Sequence, residues 1–303
     1  SSYLIWGYQV EEDGFISEYI PTAGSTVTVT TTLNDTSEVW DFDSTDIMIA
    51  EDPEDEGFWE EGSNLVLNHD YEDLGSELVT NGDFSSASGW SGSISVAGGQ
   101  GTKTGGGLAY QGGVITSGKQ YKIVVDVASL DGTTNIYTGG NSSAALSVGL
   151  QTIYMTGGSS NDFLGINNGY SGGVGSVFNS ISVKQVDPND RWTLGTGWTI
   201  EDGKAVCDGS QSSTADLNQS NFISTLKGAQ YETTYTISNY SAGTIKIRFS
   251  SGNVTTERSS NGTFTEIITA ADNGGFRLRA SSTFAGSVDN VTLREYAIQP
   301  LDI

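Results

Sequence analysis

Sugar recognition needs exposed aromatic faces with hydrogen-bonding groups beside them. The chain offers Tyr110, Tyr137, Tyr154 and Tyr170 within 77–186, and Trp192 and Tyr240 within 187–303. These six are the candidate glycan-binding residues. Other chemistries have little to work with. His69 is the only histidine and Cys207 the only cysteine, so the chain can build neither a four-ligand zinc site of nitrogen and sulfur nor an intrachain disulfide. No phosphate-cradling glycine loop leads into a helix. Paired carboxylates for glycoside hydrolysis depend on a three-dimensional separation, and the portions that would house them hold few acids. His69 reads as a turn residue, and Cys207 in KAVCDG as a buried, inert thiol. The expectation is a protein that is not an enzyme.

Charge is distributed unevenly. Residues 1–102 hold 21 of the 37 acidic residues and no Lys or Arg, while 103–303 hold the other 16 with all 13 basic residues, a net of −3. An overall charge of −24 opposes binding to nucleic acid or anionic lipid and favours solubility. No apolar run approaches the roughly 20 residues a membrane helix requires, so no membrane insertion is expected. The acidic tract that ends in AEDPEDEGFWEEG does not fit the spacing of an EF-hand loop and reads as an extended segment. Trp40, Phe42, Phe58 and Trp59 would dock it on an adjacent module or subunit.

The elements that must position the candidates come from a stretch that occurs twice. GKQYKIVVDVASL at 118–130 returns in outline as GAQYETTYTISNY at 228–240, and SISVK at 180–184 returns as NVTLR at 290–294. Gly89-Trp90 is echoed by Gly197-Trp198, which assigns both tryptophans to a core. A repeat of this length is a duplicated domain. Tyr121, Ile123, Val125 and Val127 alternate with Lys122 and Asp126; Ile245, Ile247 and Phe249 alternate with Lys246 and Arg248. That period of two marks half-buried strands. Phe276, Leu278 and Ala280 likewise oppose Arg277 and Arg279; with Arg248 these arginines read first as a solvated outer face, the alternative being a basic stripe for an anionic glycan. The glycine-rich segments 98–107 and 165–175 read as long loops. With 40 glycines, four prolines and no sustained 3.6-residue periodicity, the chain is expected to be all-β with little helix.

Two resemblances add to this. WGYQVEEDGFISEYIPTAGSTVTV, residues 6–29, is similar to a segment near the end of β-sandwich domains in bacteriophage tail and fibre proteins. Leu78-Val79-Thr80-Asn81-Gly82-Asp83-Phe84, followed by Gly89-Trp90, looks like the opening strand of jelly-roll carbohydrate-binding modules, a pattern that also pervades phage structural proteins. Residues 64–71, NLVLNHDY, read as a degenerate version of the same pattern. In the similar modules an Asp of the last strand and the opening strand surround a structural Ca²⁺. Asp83 in the first copy and Asp289 in the second hold such places, with Asn179 and DPNDRW in the complementary ones. Asp289 and Asn179 are expected on the inward face of their strands, where a carboxylate needs a cation or donors.

The expected organisation is therefore tandem antiparallel β-sandwiches of jelly-roll, carbohydrate-binding-module-like type. Residues 1–33 are the last strands of a truncated β domain, 34–76 an acidic linker or docking segment, 77–186 the first sandwich, and 187–303 the second with a C-terminal tail. The resemblance implies a virion structural protein of a bacteriophage, in a fibre, tail or capsid appendage at the virion surface. It would be a homo-oligomer, with a trimer favoured, in contact with other virion proteins and with host surface glycans. The alternatives are the carbohydrate-binding accessory region of a secreted glycanase and a self-assembling adhesin or filament subunit at a bacterial cell surface.

Overall fold

The computed structural model of the chain describes residues 63–167, 174–219, 225–249, 254–271 and 273–296 in full. Of the rest it describes only the backbone of short strands. Tyr170, the acidic tract and the loop turn Asn168-Gly169 lie outside the described residues. The chain divides into two units, 1–58 with 300–303, and 59–299. In the first, β1 (Tyr3–Ile5), β2 (Tyr8–Val10) and β3 (Ile16–Tyr19) form an antiparallel meander, as the strand-like sequence there leads one to expect. A further short strand is β4 (Gly57–Trp59).

The larger unit holds two β-sandwiches, and the described residues include no helix. The strands of the first are β5 (Leu74–Glu77), β6 (Ser91–Gly92), β7 (Ile94–Ala97), β8 (Gln100–Lys103), β9 (Ala109–Gln111), β10 (Gln120–Ser129), β11 (Asn135–Thr138), β12 (Asn141–Ser142), β13 (Gly149–Thr156), β14 (Leu164–Asn167) and β15 (Val177–Val186). One sheet runs β13-β10-β15-β8-β7 with β5 also on β15; the other runs β12-β11-β14-β9-β6. The alternation of β10 works as expected. Tyr121, Ile123, Val125 and Val127 are buried against Ala109, Ile136, Leu164 and Ile166 of the facing sheet.

The second sandwich is built from β16 (Trp192–Leu194), β17 (Trp198–Glu201), β18 (Lys204–Asp208), β19 (Ala215–Gln219), β20 (Gln230–Ala242), β21 (Ile245–Phe249), β22 (Gly262–Thr269), β23 (Phe276–Ala280) and β24 (Ala285–Glu295), with β25 (Ile298–Pro300) beyond. Its sheets run β17-β18-β24-β20-β22 and β16-β19-β23-β21. Apart from β5 and β12, which have no counterpart strand, this repeats the sheet order of the first sandwich. The Tyr121 hydroxyl accepts a hydrogen bond from Thr116 N at 2.6 Å, and that of Tyr231 accepts one from Leu226 N at 2.9 Å.

The boundary expected at 77 moves, because the first sandwich is inserted into the second. Residues 63–73, expected in the linker, are the opening segment of the second sandwich: Val66 and Tyr71 lie in its core. Leu65 N donates to Leu293 O (2.8 Å), Leu293 N to Asn64 Oδ1 (3.0 Å), Val291 N to His69 O (3.0 Å) and Trp192 Nε1 to Asn68 O (2.9 Å). The first sandwich makes the same bonds with its own opening segment. Leu78 N donates to Val183 O, Val183 N to Glu77 Oε1, Ile181 N to Gly82 O and Trp90 Nε1 to Asn81 O. The structural counterpart of Trp90 is therefore Trp192, not Trp198. The inserted sandwich leaves and re-enters at one neck, where Asp187 N donates to Asp73 O at 2.9 Å.

The equivalence exposes a flaw that one atom would remove. Tyr71 takes the place of Phe84 and is 1% exposed, and its hydroxyl has no hydrogen-bond partner among the described residues. A buried donor left unsatisfied costs about 1–3 kcal/mol. Tyr71→Phe is therefore expected to stabilise the second sandwich by about 1 kcal/mol, read as a raised urea midpoint at unchanged slope; a lower midpoint would show that the hydroxyl is satisfied.

One glycine-rich stretch, and the start of another, form strands. The segment 98–107 is no long loop, since β7 and β8 pair across Gly98-Gly99, whose φ values of +62° and +75° suit a tight hairpin turn. Gly165 lies within β14, where a Cβ would come within 2.6 Å of Leu108 Cδ1. The last strands also depart from simple alternation. A bulge interrupts the pairing of β15 with β10 at Asn179 and that of β24 with β20 near Asp289. Phe178 and Ile181 point into the first core, and Val288 and Val291 into the second. Asn179 and Asp289 are thus half-buried at the bulges rather than on the inward face.

Candidate functional site

In each sandwich the sheet that lacks the long last strand, β15 or β24, presents a built outer face. In the first sandwich β14 lies between β9 and β11, and the register sets Gly165 opposite Tyr110 on one side and Tyr137 on the other. Two half-buried tyrosines thus stand two strand spacings apart, about 9–10 Å, across Gly165, over which the Leu108 side chain lies. Tyr110 stacks on Phe163 with ring centroids 4.5 Å apart and planes inclined by 21°. Asn161 Nδ2 donates to the Tyr137 hydroxyl at 2.8 Å, which fixes that ring. Asn135 and Asn167 sit opposite each other two positions along, so amides border the aromatic row. Rings, amides and hydroxyls on one face are what a sugar plane and its hydroxyls require.

The other candidates go elsewhere. Tyr154 is on the edge strand of the opposite sheet and serves the joint between the sandwiches. Its hydroxyl donates to Asp202 Oδ1 at 3.0 Å and accepts from Asp202 N at 2.9 Å, beside a cavity of about 250 Å³ also lined by Glu72 and Lys122. Gln120 completes that joint, bonding both the N–H and the carbonyl of Ile200 at 2.9 Å. Trp192 is 5% exposed and packs against Tyr71 at 5.1 Å, so it is core. Burial of the opening segment decides this, since Trp192 Nε1 has its acceptor there. Tyr240 closes a turn by donating to Gly243 O at 3.0 Å and leans on Phe284. The calcium candidates belong to different sandwiches. Asp83 is exposed, and its Oδ1 accepts from Ser85 N and Oγ, which hold its carboxyl below the usual range. Asp289 Oδ1 accepts from Asn290 N. Among the described residues no three His, Cys, Asp or Glu side chains converge as a metal site.

The equivalent face of the second sandwich, over β16-β19-β23-β21, is ionic instead. Lys246 lies opposite Arg279, and Arg248 opposite Arg277. Asp216 of β19 takes Arg279 Nε at 2.6 Å, Arg279 Nη2 at 2.6 Å and Arg277 Nη1 at 3.1 Å. Glu257 takes Lys246 Nζ at 2.6 Å. Periodicity alone assigns these arginines to an outer face, and it cannot show that a cleft of about 340 Å³ is lined by Arg248 and Arg279. Phe163 and Asn161 also escape a sequence reading, because nothing local reports that they border Tyr110 and Tyr137. Cys207 is buried, and burial pushes its thiol up, as suits an inert thiol.

No protein-family model and no curated protein matches the chain. Among solved structures it is similar to the CBM22-1–CBM22-2 tandem domain of Xyn10C from Paenibacillus barcinonensis, at 12% identity over 73% of this chain and 98% of that one, with a TM-score of 0.27. It is also similar to a fucolectin from striped bass (Morone saxatilis) serum, at 7% identity over 79% and 96%, TM-score 0.24. A third similarity is to the CUB1-EGF-CUB2 domain of human MASP-1/3, at 10% identity over 67% and 97%, TM-score 0.20. At these scores none of the likenesses bears on what this chain binds; its all-β tandem-sandwich class stands on its own sheets.

Proposed function

We propose that the chain is a non-enzymatic structural and glycan-binding protein, exposed on a bacteriophage particle as part of a fibre, tail or capsid appendage. The observation that carries the binding role is the Tyr110–Gly165–Tyr137 row with its bordering amides. The phage setting is supported by the resemblances carried by residues 6–29 and 78–90. In that setting the chain is a homo-oligomer, with a trimer favoured, that displays the row to host surface glycans.

A broad glycan array, followed by titration of the best ligand, tests this. Tyr110→Ala and Tyr137→Ala are each expected to weaken binding by about 1–1.5 kcal/mol, some five- to tenfold in Kd. Tyr154→Ala, away from the row, is expected to leave Kd unchanged. A blank array, or titrations in which all three variants behave like the parent, would sink the binding role. Sedimentation showing only monomer at every concentration would count against the oligomeric appendage.

A further inference from the structure

We infer that the cleft over β21 and β23 of the second sandwich binds an acidic saccharide, through Arg248 and the cations beside it. The charge count is the first argument. Among the described residues four cations, Lys246, Arg248, Arg277 and Arg279, share the face with two carboxylates, Asp216 and Glu257. Like charges directly opposite on neighbouring strands are unfavourable. Asp216 offsets one pair and Glu257 offsets Lys246, but among the described residues no acid pairs with Arg248. Its Nε is buried and without a hydrogen-bond partner, and its side chain lines the cleft. An arginine whose Nε is buried without a partner is costly to keep, and an arriving carboxylate or sulfate would satisfy it.

Size and lining narrow the ligand. About 340 Å³ lies at the small end of binding pockets, and the hydroxyls of Thr214, Thr244 and Ser281 join the cations around it. Hydroxyls mixed with a guanidinium suit a ring that carries both hydroxyl groups and an acidic substituent. The choice of a saccharide over another oxyanion rests on reading the sister face of the first sandwich as sugar-binding. The cation excess does not depend on it. An acidic segment of the chain itself, such as 51–61, is the rival occupant.

The test uses the full chain and calorimetric titration with an oligogalacturonate, a sulfated oligosaccharide, a neutral oligosaccharide of equal length, inorganic sulfate and the peptide 51–61. An acidic saccharide is expected to bind, more weakly as salt rises, and at least tenfold more tightly than the neutral one. Arg248→Gln is expected to weaken that binding about tenfold with a melting temperature equal to or above the parent's, an outcome that a merely structural arginine would not give. Tyr110→Ala is expected to leave it unchanged, so the two faces fail or succeed separately. The inference is overturned if neutral and acidic saccharides bind alike or not at all, if inorganic sulfate or the peptide binds as well as the saccharide, or if Arg248→Gln binds like the parent.

Discussion

Excising residues 74–186 and joining Asp73 to Asp187 through a short glycine bridge is expected to leave the second sandwich folded. A fragment that begins at Asp187, by contrast, is expected not to fold. The neck makes the excision feasible, since the backbone groups of Asp73 and Asp187 are already hydrogen-bonded at 2.9 Å. The fragment loses Val66 and Tyr71 from its core, and an aromatic core residue alone is worth about 3–5 kcal/mol. It also strands Trp192 Nε1, the Leu293 N–H and Gln219 Oε1, each at about 1–3 kcal/mol. Together these losses match a domain stability of about 5–15 kcal/mol. The excised piece 74–186 carries its own opening segment and its own core, so it is expected to fold alone. Urea melts followed by tryptophan fluorescence separate the cases: one cooperative transition for the bridged variant and for 74–186, none for 187–303. A cooperative 187–303 fragment as stable as the bridged variant would contradict the insertion.

Much of this architecture is legible in the sequence, and the point where legibility ends has a physical cause. Gly118 and Tyr121 recur as Gly228 and Tyr231 because each tyrosine holds a nearby backbone N–H, a local device that leaves a fixed spacing. The similarity of NLVLNHDY to ELVTNGDF is also plain to read. What the spacing does not report is that Asn64 pairs with Leu293, 229 positions away, since strand partners across an insertion leave no local mark. Reading modules as contiguous therefore turns an opening strand into linker and matches Trp90 to the wrong tryptophan. The candidate face divides in the same way. Period two sends Arg248 outward, and the structure has it half-buried on the outer face. Only sheet order can say that two tyrosines share one glycine between them, or that two basic strands are neighbours. Bulges are invisible for a related reason: one extra residue turns Asp289 out of the inward row, and composition carries no signal of it.

Removing the carboxylate that holds the ionic face together is expected to destabilise the second sandwich and to sharpen its binding. Burial pushes the Asp216 carboxyl up, but the hydrogen bonds and charges of Arg279 and Arg277 outweigh it and hold the group below the usual carboxylate range. Such a depressed group contributes stability that is present above its unfolded value, near pH 4, and is lost as pH falls through the folded value. Glu266 behaves likewise, with burial outweighed by the Thr256 N–H and Arg258. The parent should therefore lose stability on acidification below about pH 4. Asp216→Asn leaves Arg277 and Arg279 facing Lys246 and Arg248 without their shared counter-charge. The groups are only partly buried, at 16–25% side-chain exposure, so the loss at neutral pH is expected at about 2–3 kcal/mol rather than the full cost of a fully buried pair. The acid limb of the variant should be correspondingly shallower, because one of the groups that titrates there is gone. The same change raises the positive excess over the cleft, so an acidic saccharide should bind the variant more tightly than the parent while neutral sugars do not. Denaturant midpoints from pH 2.5 to 7 and titrations at neutral pH read both effects. A variant as stable as the parent, or one with an unaltered acid limb, would mean that the Asp216 bridges do not organise this face.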